Sequence, residues 1–367
     1  MFNLNFKKNY KVVHVNNELG NYLIGGAGTY MNEIYKYRPD DMGFIYMNLC
    51  NPFEDYEVKG FLEQKDILVM HKDECSKLNS LACEILVVQF YEFAFMLTEE
   101  LVKGKKIAYV VHSVPTPEPP PAHDPFGGND DIRDKFYKLC EMSNIVICVS
   151  NAEKEKLAKI YPQFESKVKV VHNGITYDKN IVLSDNYKNS RKIFGYIGRA
   201  DYRKGILECI REFKNVDGEL RIACPKNDES YVKMIIDYIE AADMQDRVKL
   251  YGWCVGKRKE QFLKSLDALI IPSLYEPFGY VALEGIQYGL PVISSKNGGL
   301  DEIFEGYKYK YNPYKKSELK DMIEQFQNDS DAEIHKQQQI LLKNIERFSA
   351  EEMCRKYNKI WDELLNN

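Results

Sequence analysis

The chain has 367 residues, a length that predicts two domains rather than one core. Apolar residues make up 44% of the sequence, as is typical of a soluble globular protein. The formal net charge of -5 provides no overall basic field, so the composition argues against a nucleic-acid partner.

The cysteines and the first residues of the chain indicate the cellular compartment in which the protein is expected. The nine cysteines are scattered, with no C-x-x-C pair and no Cys/His pair at ligand spacing, as expected in a reducing environment. Met1–Lys11 carries no apolar signal core, and no stretch approaches about eighteen uninterrupted apolar residues. The sequence therefore predicts a cytoplasmic protein and leaves a weak peripheral membrane association open.

Short β-rich runs alternate with helical patterns along the chain. In the first half, the predicted strands are Lys11–Val15, Gly43–Met47, Asp66–Met70, Ile85–Phe90, Lys106–Val111, Ile145–Val149 and Lys167–Val171. In the second half, they are Lys192–Ile197, Glu219–Cys224, Arg247–Tyr251, Ala268–Ile271 and Pro291–Ser294. This alternation predicts an α/β fold with two doubly wound, Rossmann-like domains on parallel sheets.

A polar, weakly patterned segment between the halves is the predicted linker. The expected parts are an N-terminal domain (1–175), the linker (176–190), a C-terminal domain (191–346) and a last helix (347–367). A capping box at Ser349–Glu352 opens the last helix, whose apolar stripe is expected to pack on the nearest domain.

A proline-rich segment follows the strand that ends near His112. Five prolines fall within Pro115–Pro121, so this segment cannot form regular structure. Ligands of open α/β sheets bind at the carboxyl ends of strands. The segment either lines a binding site or makes a surface connection, and the sequence leaves both readings open.

The strongest chemical signal is Ser273–Glu284, with the sequence S-L-Y-E-P-F-G-Y-V-A-L-E, directly after a predicted strand. A helix is expected over Gly279–Tyr288, and free N–H groups at a helix start attract anions and hydroxyl oxygens. The amides near that start belong to Phe278, Gly279 and Tyr280. Glu276 precedes the helix and Glu284 lies within it, and the hydroxyls of sugars and ribose are natural partners for such carboxylates.

Two other segments are typical of phosphate binding. In Gly195–Gly205, Arg199 and Lys204 follow a strand end, where two cations would suit a diphosphate; a solvated basic loop is the alternative. In Gly25–Gly28, a glycine-rich turn precedes a helix expected to start near Thr29. This turn matches neither the dinucleotide-binding pattern nor the Walker pattern.

Together these segments resemble the family 4 glycosyltransferases, which have the GT-B fold of two Rossmann-like domains facing each other across a cleft. The Glu-x7-Glu pattern of the family is matched by Glu276 and Glu284. Its Gly-Arg and Lys-Gly pairs are matched at 198–199 and 204–205, and its N-domain histidine by His112. The last helix is similar to the one that crosses back to the N-terminal domain in this fold.

The resemblance implies retaining transfer of a hexose-type sugar from a nucleoside-diphosphate sugar to a saccharide, lipid-linked or protein acceptor. Arg199 and Lys204 would hold the donor diphosphate and stabilise the leaving group as it gains charge. Glu276 would contact the donor sugar, Glu284 the ribose hydroxyls, and His112 the sugar near its anomeric carbon.

Other donor contacts are implied in the same way. Backbone N–H groups at Gly26 and Ala27 would reach the phosphate, and Tyr251–Gly256 is where we expect the nucleobase. No cofactor and no metal ion are implied, because protein cations take the place of the metal. A sugar phosphorylase on the same fold and a non-catalytic glycosyltransferase-like partner protein are the alternatives that the sequence leaves.

Overall fold

The computed structural model describes residues 9–18, 25–48, 67–116, 130–225 and 229–366. These residues form two compact units. The first unit contains the described residues up to Thr176 together with those from Phe348 onward, and the second spans Tyr177–Arg347. Most of the proline-rich segment Pro115–Pro121 lies outside the described residues.

The first unit is built on a parallel sheet. Its strands in the described residues are β1 (Tyr10–Asn16), β2 (Met42–Asn48), β3 (Leu68–His71), β4 (Cys83–Val88), β5 (Lys106–Val111), β6 (Ile145–Cys148) and β7 (Val168–Val170). Their spatial order is β3-β2-β1-β4-β5-β6-β7. The order reverses between β1 and β4, the position where open α/β sheets bind ligands.

Helices cover this sheet. They are α1 (Gly26–Lys36), α2 (Glu99–Val102), α3 (Asp130–Met142) and α4 (Asn151–Ile160), with 3-10 segments at Lys72–Ser80, Tyr91–Met96 and Pro162–Lys167. The strands are buried on both faces and form an apolar core with the helices, as expected for a covered parallel sheet.

The second unit repeats the architecture. Its strands in the described residues are β8 (Ile193–Ile197), β9 (Glu219–Ala223), β10 (Val248–Leu250), β11 (Ala268–Ile271), β12 (Val292–Ser295) and β13 (Lys310–Tyr311). Their spatial order is β10-β9-β8-β11-β12-β13, so the order reverses between β8 and β11. The helices are α5 (Ile206–Phe213), α6 (Glu229–Ala241), α7 (Gly256–Lys264), α8 (Tyr280–Gln287), α9 (Gly299–Ile303), α10 (Glu318–Asn328) and α11 (Asp331–Ile345). The 3-10 segments that belong to or adjoin this unit are Asn186–Lys188, Tyr202–Lys204 and Glu346–Phe348.

The last helix, α12 (Ala350–Asn366), packs on the first unit. The hydroxyl of Ser349 accepts a hydrogen bond from the backbone N–H of Glu352 at 3.2 Å, which caps the helix. Trp361 is buried and lies edge-on against His14 of β1, with 6.3 Å between ring centroids. The apolar stripe expected on this helix is thus its packing face. No helix among the described residues combines the length and apolarity needed to cross a bilayer.

Every strand predicted from the sequence is present in the structure, and the described residues contain one further strand that was not predicted. The strand ends differ by one or two residues, and Lys106–Val111 and Ala268–Ile271 coincide with the structure. The missed strand, β13, has only two residues, too few for a recognisable alternation. The prediction that α1 starts near Thr29 is wrong: the helix begins at Gly26, so the glycines form its first turn.

The polar segment 176–190 is more ordered than its composition suggests. Tyr187 is buried and lies edge-on against Phe326, with 6.5 Å between ring centroids. The backbone N–H of Ser184 donates to the carbonyl of Gly289 at 2.9 Å. From Tyr177 onward, this segment therefore packs as part of the second unit.

Candidate active site

The candidate site of the second unit lies where β8 and β11 end, at the reversal of strand order. Two contacts fix the loops that follow these strands. The backbone N–H of Leu274 donates to the carbonyl of Arg203 at 2.7 Å. Gly205 has φ +64°, and a Cβ placed on it would lie 2.1 Å from the carbonyl oxygen of Pro272. Glycine is required here because any side chain would force the two loops apart.

This loop contact brings together two residues that the sequence analysis assigned to the donor. The Nζ of Lys204 lies 2.5 Å from Oε2 of Glu276, and both side chains are mostly buried, with exposed fractions of 16% and 15%. The hydroxyl of Ser273 donates to the same oxygen at 3.2 Å. A charge-assisted pair with a third partner has a defined geometry before any ligand binds.

The carboxyl group of Glu276 stays ionised in this setting. Burial is the largest influence and raises its pKa, but the charges of Lys204, Arg203 and Arg199 together outweigh burial and hold the pKa below its ordinary value of 4.5. Arg203 was not identified from the sequence. Its position inside the matched Gly-Arg to Lys-Gly segment was the signal that could have indicated it.

Arg199 has its own acidic neighbour. Its Nη2 lies 3.4 Å from Oδ2 of the buried Asp201, and its backbone carbonyl accepts from the hydroxyl of Tyr196 at 2.6 Å. Three cations (Arg199, Arg203 and Lys204) thus lie near two carboxylates (Asp201 and Glu276), an excess of one positive charge. Such a cluster attracts an anion with several oxygens, such as a diphosphate.

The helix α8 starts as expected beside Glu276. Gly279 precedes it with φ +115°, and a Cβ on this residue would approach Leu300 to 2.6 Å. The side chains of Phe278 and Tyr280 are buried, with exposed fractions of 3% and 7%. At these two positions only the backbone is suited to contact a ligand, and the aromatic rings pack in the core.

Glu284, within α8, is held by a partner that the sequence analysis did not identify. The Nζ of Lys259 on α7 lies 2.7 Å from Oε1 of Glu284, and the two side chains are 30% and 16% exposed. This ion pair fixes the orientation of the carboxylate. Lys259 follows Tyr251–Gly256 by only a few residues, but nothing in that pattern distinguishes it from the other lysines of α7.

In the first unit, the N-terminus of α1 lies next to a side-chain carboxylate, that of Glu18. Oε2 of Glu18 accepts a hydrogen bond from the backbone N–H of Gly28 at 3.0 Å. A Cβ on Gly25 would lie 2.5 Å from the same oxygen. The helix start at Gly26 and Ala27, which we expected to offer N–H groups to a phosphate, therefore lies beside a carboxylate in this structure.

His112 directly follows β5, as the sequence predicts. Its Nε2 lies 3.0 Å from Oε1 of Gln89, and its ring contacts Tyr30 edge-on with 5.1 Å between centroids. Desolvation lowers the pKa of His112 to about 4, so the imidazole is neutral near pH 7. It can accept or donate a hydrogen bond but carries no charge that would hold a phosphate.

The structure thus assembles Arg199, Lys204 and Glu276 into one cluster of the second unit, with Glu284 on the helix that follows. His112 and the α1 start belong to the first unit. Within the described ranges, no group of three or more His, Cys, Asp or Glu side chains is arranged to hold a metal ion.

Comparison with known protein families relates the second unit to glycosyltransferases. Residues 180–347 match the sequence profile of the family described as glycosyl transferases group 1. An uncharacterized glycosyltransferase of Methanocaldococcus jannaschii is 34% identical over 184 residues, which are 46% of this chain and 45% of that protein. A probable sucrose-phosphate synthase of Thermosipho melanesiensis is 31% identical over 159 residues, which are 41% of this chain and 37% of that protein. The chain therefore spans about half the length or less of these relatives.

Solved structures extend the likeness to nearly the whole chain. HepE of Anabaena, solved in complex with UDP and glucose, superposes with a TM-score of 0.75 at 18% identity and covers 96% of this chain and 99% of its own. A sucrose-phosphate synthase of Thermosynechococcus elongatus gives a TM-score of 0.79 at 14% identity, covering 97% and 99%. The fold of two parallel-sheet α/β domains is therefore the GT-B fold, as the sequence predicted.

Proposed function

We propose that this chain, in which residues 180–347 form a glycosyltransferase group 1 domain, transfers a hexose-type sugar from a nucleoside-diphosphate sugar to an acceptor hydroxyl. The observation that carries this proposal is the buried pair of Lys204 and Glu276, set among further cations where the strand order reverses. A diphosphate and a sugar together provide the partners that these charges match: anionic oxygens for the cations and hydroxyls for the carboxylate.

Each part of the donor has a proposed partner in the second unit. Arg199 and Lys204 bind the diphosphate, with Arg203 adding to the local positive charge. Glu276 accepts hydrogen bonds from sugar hydroxyls, which requires the ionised carboxylate that its lowered pKa provides. Glu284, oriented by Lys259, accepts from the ribose hydroxyls. The backbone around Gly279 approaches the donor closely because no Cβ stands in the way.

The proposed reaction breaks the bond between the anomeric carbon and the diphosphate oxygen, and the electron pair stays with the nucleoside diphosphate. The acceptor oxygen forms the new bond on the same face, and its proton passes to the leaving phosphate oxygen. The configuration at the anomeric carbon is then retained. Lys204 and Arg199 stabilise the charge that grows on the leaving group. Proton NMR of the first sugar released from an α-linked donor into water distinguishes retention, which gives the α anomer, from inversion.

The proposed reaction uses no metal ion, since the protein's cations bind the diphosphate in its place. Transfer should then proceed unchanged in the presence of EDTA. Uridine diphosphate is the first nucleotide to test, because HepE was solved with it. The proposed acceptor is a saccharide, free or carried on a lipid or a protein.

Thermal unfolding with UDP, GDP or ADP tests donor binding. At about a hundred times its dissociation constant, a bound nucleotide adds roughly 2.7 kcal/mol to the free energy of unfolding. We expect one nucleotide to stabilise the wild type and Lys264→Ala, in which only an exposed pair with Glu260 is lost. Lys204→Ala should respond weakly, because losing a charged hydrogen bond costs about 1.5–3 kcal/mol of binding. An equal response of all three proteins, or none in the wild type, contradicts the proposal.

A further inference from the structure

The most exposed aromatic side chain among the described residues belongs to Tyr314, in the turn that follows β13. Its exposed fraction is 69%, whereas the next most exposed aromatic residue, Phe95, reaches 46%. The ring therefore buries little apolar area within the second unit, so packing alone gives a small stabilisation. A single exposed ring is common on protein surfaces. What distinguishes Tyr314 is that its contacts fix its orientation.

Hydrogen bonds hold Tyr314 at both ends. Its hydroxyl donates to the carbonyl of Leu274 at 3.0 Å, and the side-chain amide of Asn297 lies 3.3 Å from the same hydroxyl. The backbone N–H of Tyr314 donates to Oδ1 of Asn312 at 3.0 Å, and the backbone N–H of Asn312 donates to Oε2 of Glu318 at 2.7 Å. The ring is thus held in one orientation while most of its surface stays open to solvent. A ligand that packs on such a ring loses little affinity to side-chain ordering.

The hydroxyl contact places this ring beside the candidate site. Leu274 lies two positions before Glu276. Glu276 also forms a β-bridge with Gly298, which follows Asn297 directly. The strands β11, β12 and β13 lie side by side and parallel. The loops that carry Glu276, Asn297 and Tyr314 therefore share one edge of the sheet, the edge at which α/β proteins bind ligands.

The nucleobase of the donor does not account for this ring. Tyr251–Gly256, where we expect the nucleobase, follows β10, and β10 and β13 are at opposite ends of the strand order. At about 4.8 Å per strand, the five steps between them amount to about 24 Å. The proposed function already assigns the cations to the diphosphate and Glu276 to the donor sugar. The acceptor saccharide is the part of the reaction that still lacks a contact in this unit.

We propose that Tyr314 is a stacking platform for a pyranose ring of the acceptor saccharide, next to Glu276 on the second unit. One face of a pyranose presents C–H groups that pack against an aromatic ring, while the hydroxyls at its rim bind water or polar groups. The identity of this substrate rests on the proposed function, whereas the fixed orientation of the ring rests on the contacts of Tyr314 alone.

Saturation-transfer NMR of the full chain with simple saccharides tests the platform. The probes are the methyl glycosides of glucose, galactose and mannose, each titrated with and without UDP. We expect at least one probe to bind the wild type, to bind Tyr314→Phe nearly as tightly because the ring remains, and to bind Tyr314→Ala about tenfold more weakly. Tyr137→Ala removes a tyrosine of the first unit that is 40% exposed and should bind like the wild type.

Three results of this titration overturn the proposal. The first is a wild type that binds none of the probes, and the second is a folded Tyr314→Ala that binds as tightly as the wild type. The third is a Tyr314→Phe that binds as weakly as Tyr314→Ala, because the hydroxyl and not the ring face is then responsible. Tyr314→Leu replaces Tyr314→Ala if that variant does not fold.

Kinetics separate the acceptor from the donor. In Tyr314→Ala, the KM for the saccharide that binds should rise about tenfold, while the KM for the nucleotide sugar stays unchanged. A rise in the KM for the nucleotide sugar alone assigns the ring to the donor and overturns the proposal. Saccharide binding that depends on Tyr314, without turnover of any nucleotide sugar, refutes the proposed function and leaves the platform intact.

Discussion

The Nζ of Lys204 lies 2.5 Å from Oε2 of Glu276, although 72 positions separate these residues in the sequence. The contact depends on the close approach of two strand-end loops, which Gly205 permits. Each charge compensates the other in a mostly buried setting. In the proposed function, a bound diphosphate gives the lysine a second anionic partner, and the carboxylate turns to the sugar.

Removing the lysine should make stability depend on pH in a characteristic way. In the wild type, the lowered pKa of Glu276 means that its stabilising contribution is present above pH 4.5 and is lost only as the pH falls through that lowered pKa. In Lys204→Ala, burial is no longer outweighed, so the pKa of Glu276 should rise above 4.5. At pH 7.5, the free energy of unfolding of the variant should be about 3 kcal/mol lower than that of the wild type, as for a broken buried pair.

Part of this loss should be recovered as the pH falls from 7.5 to 5.5, because protonation neutralises the buried carboxylate. Denaturant unfolding at both pH values measures the difference between variant and wild type. Lys264→Ala, which breaks the exposed pair with Glu260, is the control and should stay close to the wild type at both. A deficit in Lys204→Ala that is the same at both pH values is incompatible with our account of the Glu276 environment.

Gly205→Ala should be much more disruptive than Gly252→Ala. Both glycines have positive φ angles, +64° and +67°, so alanine is strained at either position. Only Gly205 also places the new Cβ against a neighbour, the backbone carbonyl of Pro272, whereas nothing lies within 4 Å at Gly252. We expect Gly252→Ala to lower the free energy of unfolding by about 1 kcal/mol, and Gly205→Ala to lower it by at least about 2 kcal/mol more. Equal thermal midpoints for the two variants mean that the loop contact is not tight.

Glu18→Gln should strengthen nucleotide binding if the start of α1 contacts the donor phosphate, as the sequence predicts. The carboxylate of Glu18 accepts from Gly28 N–H and places a negative charge where that phosphate is expected. Removing one charge at a helix N-terminus changes the interaction by about 0.3–1 kcal/mol, a factor of roughly two to five in affinity. Calorimetric titration with the nucleotide that stabilises the wild type measures this. Weaker binding in the variant shows instead that Glu18 supports the helix start for the ligand.

The sequence was sufficient to predict the fold because parallel strands buried on both faces leave a strong signal. Ala268–Ile271 is a continuous apolar run that ends at a proline, and both of its ends were predicted correctly. The region around Glu276 was also predictable, because the loop between strand and helix has little freedom when a glycine with positive φ precedes the helix.

Contacts between distant segments could not be read in the same way. Lys259 is one of several lysines on its helix, and only the packing of α7 near α8 selects it as the partner of Glu284. Gln89 was predicted to lie inside a strand, but it follows the strand end and hydrogen-bonds two histidines from neighbouring strands. Side-chain partners of this kind depend on strand order, which hydrophobic periodicity does not contain.

The release of nucleoside diphosphate from a panel of nucleotide sugars, by the wild type and by Glu276→Gln, tests the central claim most directly. The variant keeps the size of the side chain and removes its charge. We predict that the wild type consumes at least one nucleotide sugar and that Glu276→Gln does so about 100-fold more slowly, while the same nucleotide still raises its thermal midpoint. Turnover by Glu276→Gln at the wild-type rate, or a wild type that leaves every nucleotide sugar intact, contradicts the assignment of this site.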